Sequence, residues 1–126
     1  MTRAMIITIL ARLANVDTSV GSTWYSAAVA WGVANGITDG SDLYGNVTRE
    51  QIAALLYRFA GSPGTDGSVP FTDAEDTSDW AADAIAWAAQ AGIIGGFPDG
   101  SFRPGDNATR AQAARIIFTL LSVISN

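Results

Sequence analysis

The 126-residue chain contains no cysteine, no histidine and no lysine, and each absence removes a class of chemistry. Without cysteine there can be neither a disulfide nor a thiolate metal site. Without histidine, cysteine or lysine the usual general bases and nucleophiles are missing. A carboxylate pair can hydrolyse glycosides, but no acidic pair stands out from the scatter of loop acids, so the chain reads as a non-enzyme. Charged residues are scarce, at 15%, and sum to −5, which argues against nucleic acid or an anionic membrane surface as partner. Long apolar runs are also lacking. The stretch 116–124 is too short to span a bilayer, so no membrane insertion is expected. No signal-peptide pattern is visible, and any export signal is expected outside this chain. The acids Asp73, Glu75, Asp76 and Asp79 lack the glycine and spacing of an EF-hand loop, so no metal is expected, and no cofactor either.

What is present is a hydrophobic fraction of 48%, enough for one compact domain with a real core. All seven cations are arginine, the side chain suited to two-pronged recognition of carboxylates. One signal occurs three times: Thr-Arg opening an apolar helix, at Thr2-Arg3-Ala4-Met5, Thr48-Arg49-Glu50-Gln51 and Thr109-Arg110-Ala111-Gln112. In the second and third copies the threonine is a good N-cap and the glutamine completes a capping box. The arginine then falls at the first helical position, where the helix end already carries partial positive charge. A disfavoured choice made three times points to a retained purpose, and an anion is the obvious one.

Apolar spacing predicts helices over 3–14, 24–34, 48–60, 80–91 and 109–122. Asn35-Gly36 and Gly92 are helix-stop signals, and Asp79 is the expected cap of the fourth helix. The most linker-like stretch is 62–69. Trp24 and Trp31 are seven apart, as are Trp80 and Trp87; each pair is followed by Gly-Ile, a glycine-rich loop and Thr-Arg. This is an internal repeat. Residues 1–15 form the closing helix of a truncated first repeat, 16–61 a second and 70–126 a third, together one compact domain. The expected architecture is all-α: helix-loop-helix units with the three Thr-Arg helices as a central bundle in pseudo-threefold arrangement. Trp31 and Trp87 are expected in the core. Arg12, Arg58 and Arg115 fall late in their helices, where cations suit the dipole, and receive no role.

The order of these elements resembles the S-layer homology family. The third unit carries Phe71-Thr72-Asp73, Trp80, Gly92-Ile93-Ile94-Gly95-Gly96, Asp99-Gly100-Ser101-Phe102-Arg103-Pro104 and Thr109-Arg110-Ala111-Gln112. The second keeps Trp24, Gly36-Ile37-Thr38-Asp39-Gly40 and Thr48-Arg49-Glu50-Gln51, but lacks Phe-x-Asp and Phe-x-Pro. The first keeps only its Thr-Arg start.

The resemblance implies a bacterial cell-surface anchoring module, extracellular at the cell wall or S-layer. It implies binding to a secondary cell-wall polysaccharide, often pyruvylated, in grooves between repeats. A pyruvyl ketal is a carboxylate on a sugar, which suits arginine, and helix amides could add donors. The glycan-binding candidates are then Arg3, Arg49 and Arg110, with Trp24 and Trp80 as sugar-facing rings. Asp73 is a further candidate, and Gly36 and Gly92 would permit close backbone approach. Each arginine could instead form a structural ion pair with a loop aspartate. The expected partners are the polysaccharide, the rest of a larger surface protein, and a second copy completing the truncated repeat. The alternative function is a structural or self-assembly module for protein–protein contact at the surface.

Overall fold

In the computed structural model, residues 1–124 are described, and among them there are five α-helices and no strand. The helices are α1 (Arg3–Leu13), α2 (Ser26–Ala34), α3 (Arg49–Phe59), α4 (Ala82–Gln90) and α5 (Arg110–Ile124). The all-α expectation holds. Two compact units divide the chain, Met1–Val47 and the part from Thr48 onward. Within each, a Trp-bearing helix packs on the Thr-Arg helix that precedes it, α2 on α1 and α4 on α3.

In the first unit, Ile7 and Ala11 of α1 and Ala28 of α2 are fully buried and form a small core, with Val16, Val29, Trp31 and Leu43 half-buried against it. Gly32 lets α2 approach closely: a Cβ there would lie 3.4 Å from the Ile7 Cγ2 and 2.9 Å from the Thr38 Cγ2. In the second unit the buried set is larger, including Ile52 and Leu56 of α3, Ala84, Ile85 and Ala88 of α4, Phe102 of the following loop, and Leu120 of α5. Trp87 is half-buried beside Tyr57, with ring centroids 5.7 Å apart.

The stop signals work as the residues dictate. Gly36 and Gly92 both have positive φ, 70° and 75°, and the isoleucine after each donates its amide back to the helix: Ile37 to the Gly32 carbonyl at 2.9 Å, Ile93 to the Ala88 carbonyl at 2.8 Å. This closes each Trp helix and turns the chain into its glycine-rich loop. Both predicted capping boxes form. The Thr48 amide donates to the Gln51 side chain at 2.9 Å, and the Gln51 amide to the Thr48 hydroxyl at 3.3 Å. The corresponding Thr109–Gln112 distances are 3.0 and 3.1 Å.

The start of α4 differs from expectation. Asp79 does not cap it; Asp79–Ala81 is a 3-10 turn leading into the helix. The turn is held from α3 instead, where the buried Glu50 carboxylate accepts from the Ser78 amide at 3.0 Å and from its hydroxyl at 2.7 Å. A buried acid across the fold does the work expected of a local cap. The stretch 62–69 is irregular but tied down within the second unit. The Tyr57 hydroxyl donates to the Pro63 carbonyl at 2.7 Å, and the Gln90 side-chain amide to Asp66 at 2.8 Å.

Candidate functional site

The second unit carries an open cavity of about 380 Å³. One wall is the loop 92–97, Gly92-Ile93-Ile94-Gly95-Gly96-Phe97. Facing it are Gln112, Arg115, Ile116 and Thr119 of α5, and Arg49 of α3 reaches the interior. The lining α5 residues are spaced i, i+3, i+4, i+7, so one helical stripe supplies all four.

Arg49 is 6% exposed, far more buried than a surface cation. Its Nε donates to the Phe102 carbonyl at 2.7 Å, and its guanidinium carbon lies 4.8 Å from the Phe97 ring centre and 4.7 Å from that of Phe102. Burial pulls its pKa below the usual guanidinium value; Asp106 and Asp73 push the other way and Arg103 adds to the fall. It remains a cation at any physiological pH. No carboxylate among the described residues lies within ion-pair distance of it, and every buried side-chain polar atom among them has a partner. Arg49 is therefore a buried positive charge, held by a neutral carbonyl and two ring faces, at the wall of an open cavity.

The helix start explains how a cation can sit at this position. The first two amides of α3 are taken by the loop, Arg49 donating to the Asp106 carbonyl at 2.9 Å and Glu50 to that of Pro104 at 3.0 Å. The third is taken by Thr48. The partial positive charge of the helix end is thus answered by carbonyl oxygens. One expectation changes with this: these amides are not available to a ligand, because the loop already uses them.

The other candidate residues are distributed as follows. Gly92 lines the cavity, and a Cβ there would meet nothing within 4 Å. Arg110, the first residue of α5, is exposed, without a hydrogen bond or ion pair to its guanidinium among the described residues. Trp80 is 54% exposed and lies outside the cavity lining. Asp73 braces the loop: its carboxylate accepts from the amides of Phe102 at 2.9 Å and Arg103 at 2.8 Å. Burial disfavours its charge, but those two amides outweigh that and its pKa falls below the usual carboxylate value. In the first unit, Arg3 is paired with the Asp42 carboxylate. Trp24 is 52% exposed and meets Tyr25 edge to face at 5.1 Å, and Tyr25 in turn meets Tyr44 at 5.7 Å. Gly36 is exposed in its turn. Thus the cavity gathers Arg49 and Gly92 from the candidate set and none of the rest.

Arg115 is a cavity residue that the dipole argument passed over. It is the sixth of the 15 residues of α5, well before the last turn, so the dipole argument does not apply to it. The signal lay in its polar stripe with Gln112 and Thr119 on an otherwise apolar helix.

The comparisons with known proteins bear on this loop and helix directly. Residues 70–114 match the S-layer homology domain. The chain belongs to the S-layer homology domain family. The amylopullulanase of Thermoanaerobacterium thermosulfurigenes is 32% identical over 144 aligned positions, covering the whole of this chain and 8% of that protein. The cellulosome-anchoring protein of Acetivibrio thermocellus is 36% identical over 80 positions, 60% of this chain and 18% of its own length. Outer membrane protein SlpA of Thermus thermophilus is 53% identical over 45 positions, 36% of this chain and 5% of its own. The chain therefore spans less than a fifth of each of these relatives. An S-layer homology domain is a non-catalytic module of bacterial cell-surface proteins, and this chain is a cell-surface anchoring module. No described helix is long and apolar enough to cross a membrane.

Proposed function

We propose that this module anchors a larger surface protein by binding an acidic cell-wall polysaccharide, and that the cavity around Arg49 is where it reads the acid. The observation that carries this reading is a nearly fully buried arginine, without a carboxylate partner among the described residues, on the wall of an open cavity. Burying a charge unpaired is costly, and a ligand carboxylate would remove that cost through a charge-assisted, two-pronged bond. A pyruvyl ketal on a sugar has the required group. Gly92 and Gly95, where a Cβ would meet nothing within 4 Å, leave the loop wall without side chains, so a pyranose could lie against backbone there, while Ile93, Ile94 and Phe97 offer apolar surface. Arg115 supplies a second cation at the cavity's helical wall. Arg110 and Trp80, both exposed, would serve as outlying contacts for a longer glycan, while Asp73 would act by holding the loop. In the other unit, Trp24 and Gly36 are surface candidates and Arg3 is already paired.

The reading is tested by pull-down with native and with chemically de-pyruvylated cell-wall sacculi. The wild-type chain is expected on native sacculi only, and Arg49→Ala on neither. Equal capture by both kinds of sacculi would exclude the ketal carboxylate as the group recognised.

A further inference from the structure

The two Thr-Arg starts with a following loop, at Arg3 and at Arg49, have the same backbone frame. The residue after the threonine donates its amide to the loop at 3.1 Å (Arg3 to the Gly45 carbonyl) and 2.9 Å (Arg49 to Asp106), and the next residue at 3.0 Å in both (Ala4 to Leu43, Glu50 to Pro104). The loops pair with the threonines through matching isolated bridges, Thr2 with Asn46 and Thr48 with Asn107. Upstream, each loop carries the same turn, with the Ser41 amide on Asp39 and the Ser101 amide on Asp99, both at 2.9 Å. This frame makes Asp42 and Arg103 equivalent. Both are left-handed, with φ of 50° and 59°, and their carbonyls accept from the amide three residues on, at 3.1 Å from Gly45 and 3.2 Å from Asp106.

The same backbone position thus carries opposite charges. In the first unit the Asp42 carboxylate pairs with Arg3. In the second, Arg103 packs its guanidinium 3.8 Å from the Phe97 ring centre and 3.5 Å from Asp99. Between the Asp-x-Ser turn and this position the second loop has one extra residue, Phe102, whose neutral carbonyl takes the Arg49 Nε where the first loop presents a carboxylate.

We propose that this loop position decides whether a Thr-Arg arginine is open to an outside acid: Asp42 is a built-in carboxylate that closes Arg3, and Arg103 leaves Arg49 open. The inference rests on the reading of Arg49 as an anion site and adds the residue that grants or denies access. An intramolecular carboxylate competes at an effective concentration on the order of millimolar or above, so an external one binds Arg3 only weakly. The position tolerates exchange, because aspartate and asparagine are among the side chains most readily accommodated at positive φ.

The experiment is a titration with pyruvate, followed by the arginine Nε–Hε cross-peaks in NMR spectra of the wild type, Asp42→Asn and Arg103→Asp. In the wild type Arg49 is expected to shift on addition of pyruvate and Arg3 to stay in place. In Asp42→Asn, Arg3 should shift as well. In Arg103→Asp, the apparent affinity at Arg49 should fall roughly tenfold, as expected when a charge-assisted bond is contested. If Arg3 responds equally in wild type and Asp42→Asn, or fails to respond in an Asp42→Asn protein whose amide spectrum is otherwise unchanged, the gating role of this position is wrong. A silent Arg49 in the wild type would instead count against the anion site itself, while Arg3 still decides the role of Asp42.

Discussion

The two compact units begin from the same six or seven residues of pattern and reach different states. Both open with Thr-Arg, both pack a Trp helix on the helix so started, and both stop that helix with Gly-Ile. In the first, the loop is short, its aromatic Tyr44 is 71% exposed, and its arginine is neutralised by Asp42. In the second, the loop is longer, Phe102 is 1% exposed, and its arginine is buried against a carbonyl and two rings, with no carboxylate among the described residues at ion-pair distance. The difference teaches that the Thr-Arg signal builds a helix start in either case. On the proposed reading, the loop that folds back over that start decides whether its arginine is open to a ligand.

The largest expected break in the comparison is in stability. Phe102 stacks on Phe71 with centroids 5.1 Å apart and fills the core under the loop, so Phe102→Ala should cost about 3–5 kcal/mol. Tyr44→Ala, at the exposed aromatic of the shorter loop, should cost less than about 1 kcal/mol. Urea denaturation measures both, and equal losses would mean that the two loops are not packed as differently as described.

A smaller effect sharpens the contrast at the residue after each arginine. Glu50 clamps Ser78, whereas the first unit has Ala4 in that place. Glu50→Ala should lower stability by about 1–3 kcal/mol, because two donors at Ser78 lose their charged acceptor. Glu50→Gln, which keeps one oxygen acceptor, should lose less, and identical losses in the two variants would argue against the clamp.

The smallest effect is acid sensitivity. The folded-state pKa of Asp73 is depressed, so its contribution is fully present above its unfolded value of about 3.9 and is lost as pH falls through the folded value. The amide resonances of Phe102 and Arg103 should move together in that acid range. Asp73→Asn should remove the movement, and its persistence in that variant would assign it to another group.

Much of this fold was legible in the residues. Helix positions came from apolar spacing, capping boxes from Thr-x-x-Gln, and chain reversals from Gly-Ile, since each is a local effect whose partners lie within a few residues. What was illegible is long-range. Glu50 gave no sign that it would hold Ser78, 28 positions away, and Asp79 offered a more obvious local cap. The lining of the candidate cavity was legible in part. Repetition of arginine at a disfavoured helix position pointed to Arg49, yet it could not distinguish Arg49 from Arg3, because the distinction depends on loop backbone geometry. Arg115 was passed over because it was read as a late-helix cation, although it lies near the middle of the expected helix as well as of the observed one. Trp80 and Trp24 were chosen as rings that could meet a sugar; the structure leaves both half-exposed but brings neither into the cavity lining.

The most direct test of the asymmetry is isothermal titration of the wild type, Arg49→Ala and Arg3→Ala with pyruvylated cell-wall polysaccharide, each protein checked for helicity by circular dichroism. Loss of a charge-assisted contact predicts an affinity drop of roughly ten- to a hundredfold for Arg49→Ala. Arg3→Ala, which removes only a self-neutralised pair, should bind as the wild type does. Equal weakening in the two variants, or wild-type binding by a folded Arg49→Ala protein, would contradict the account.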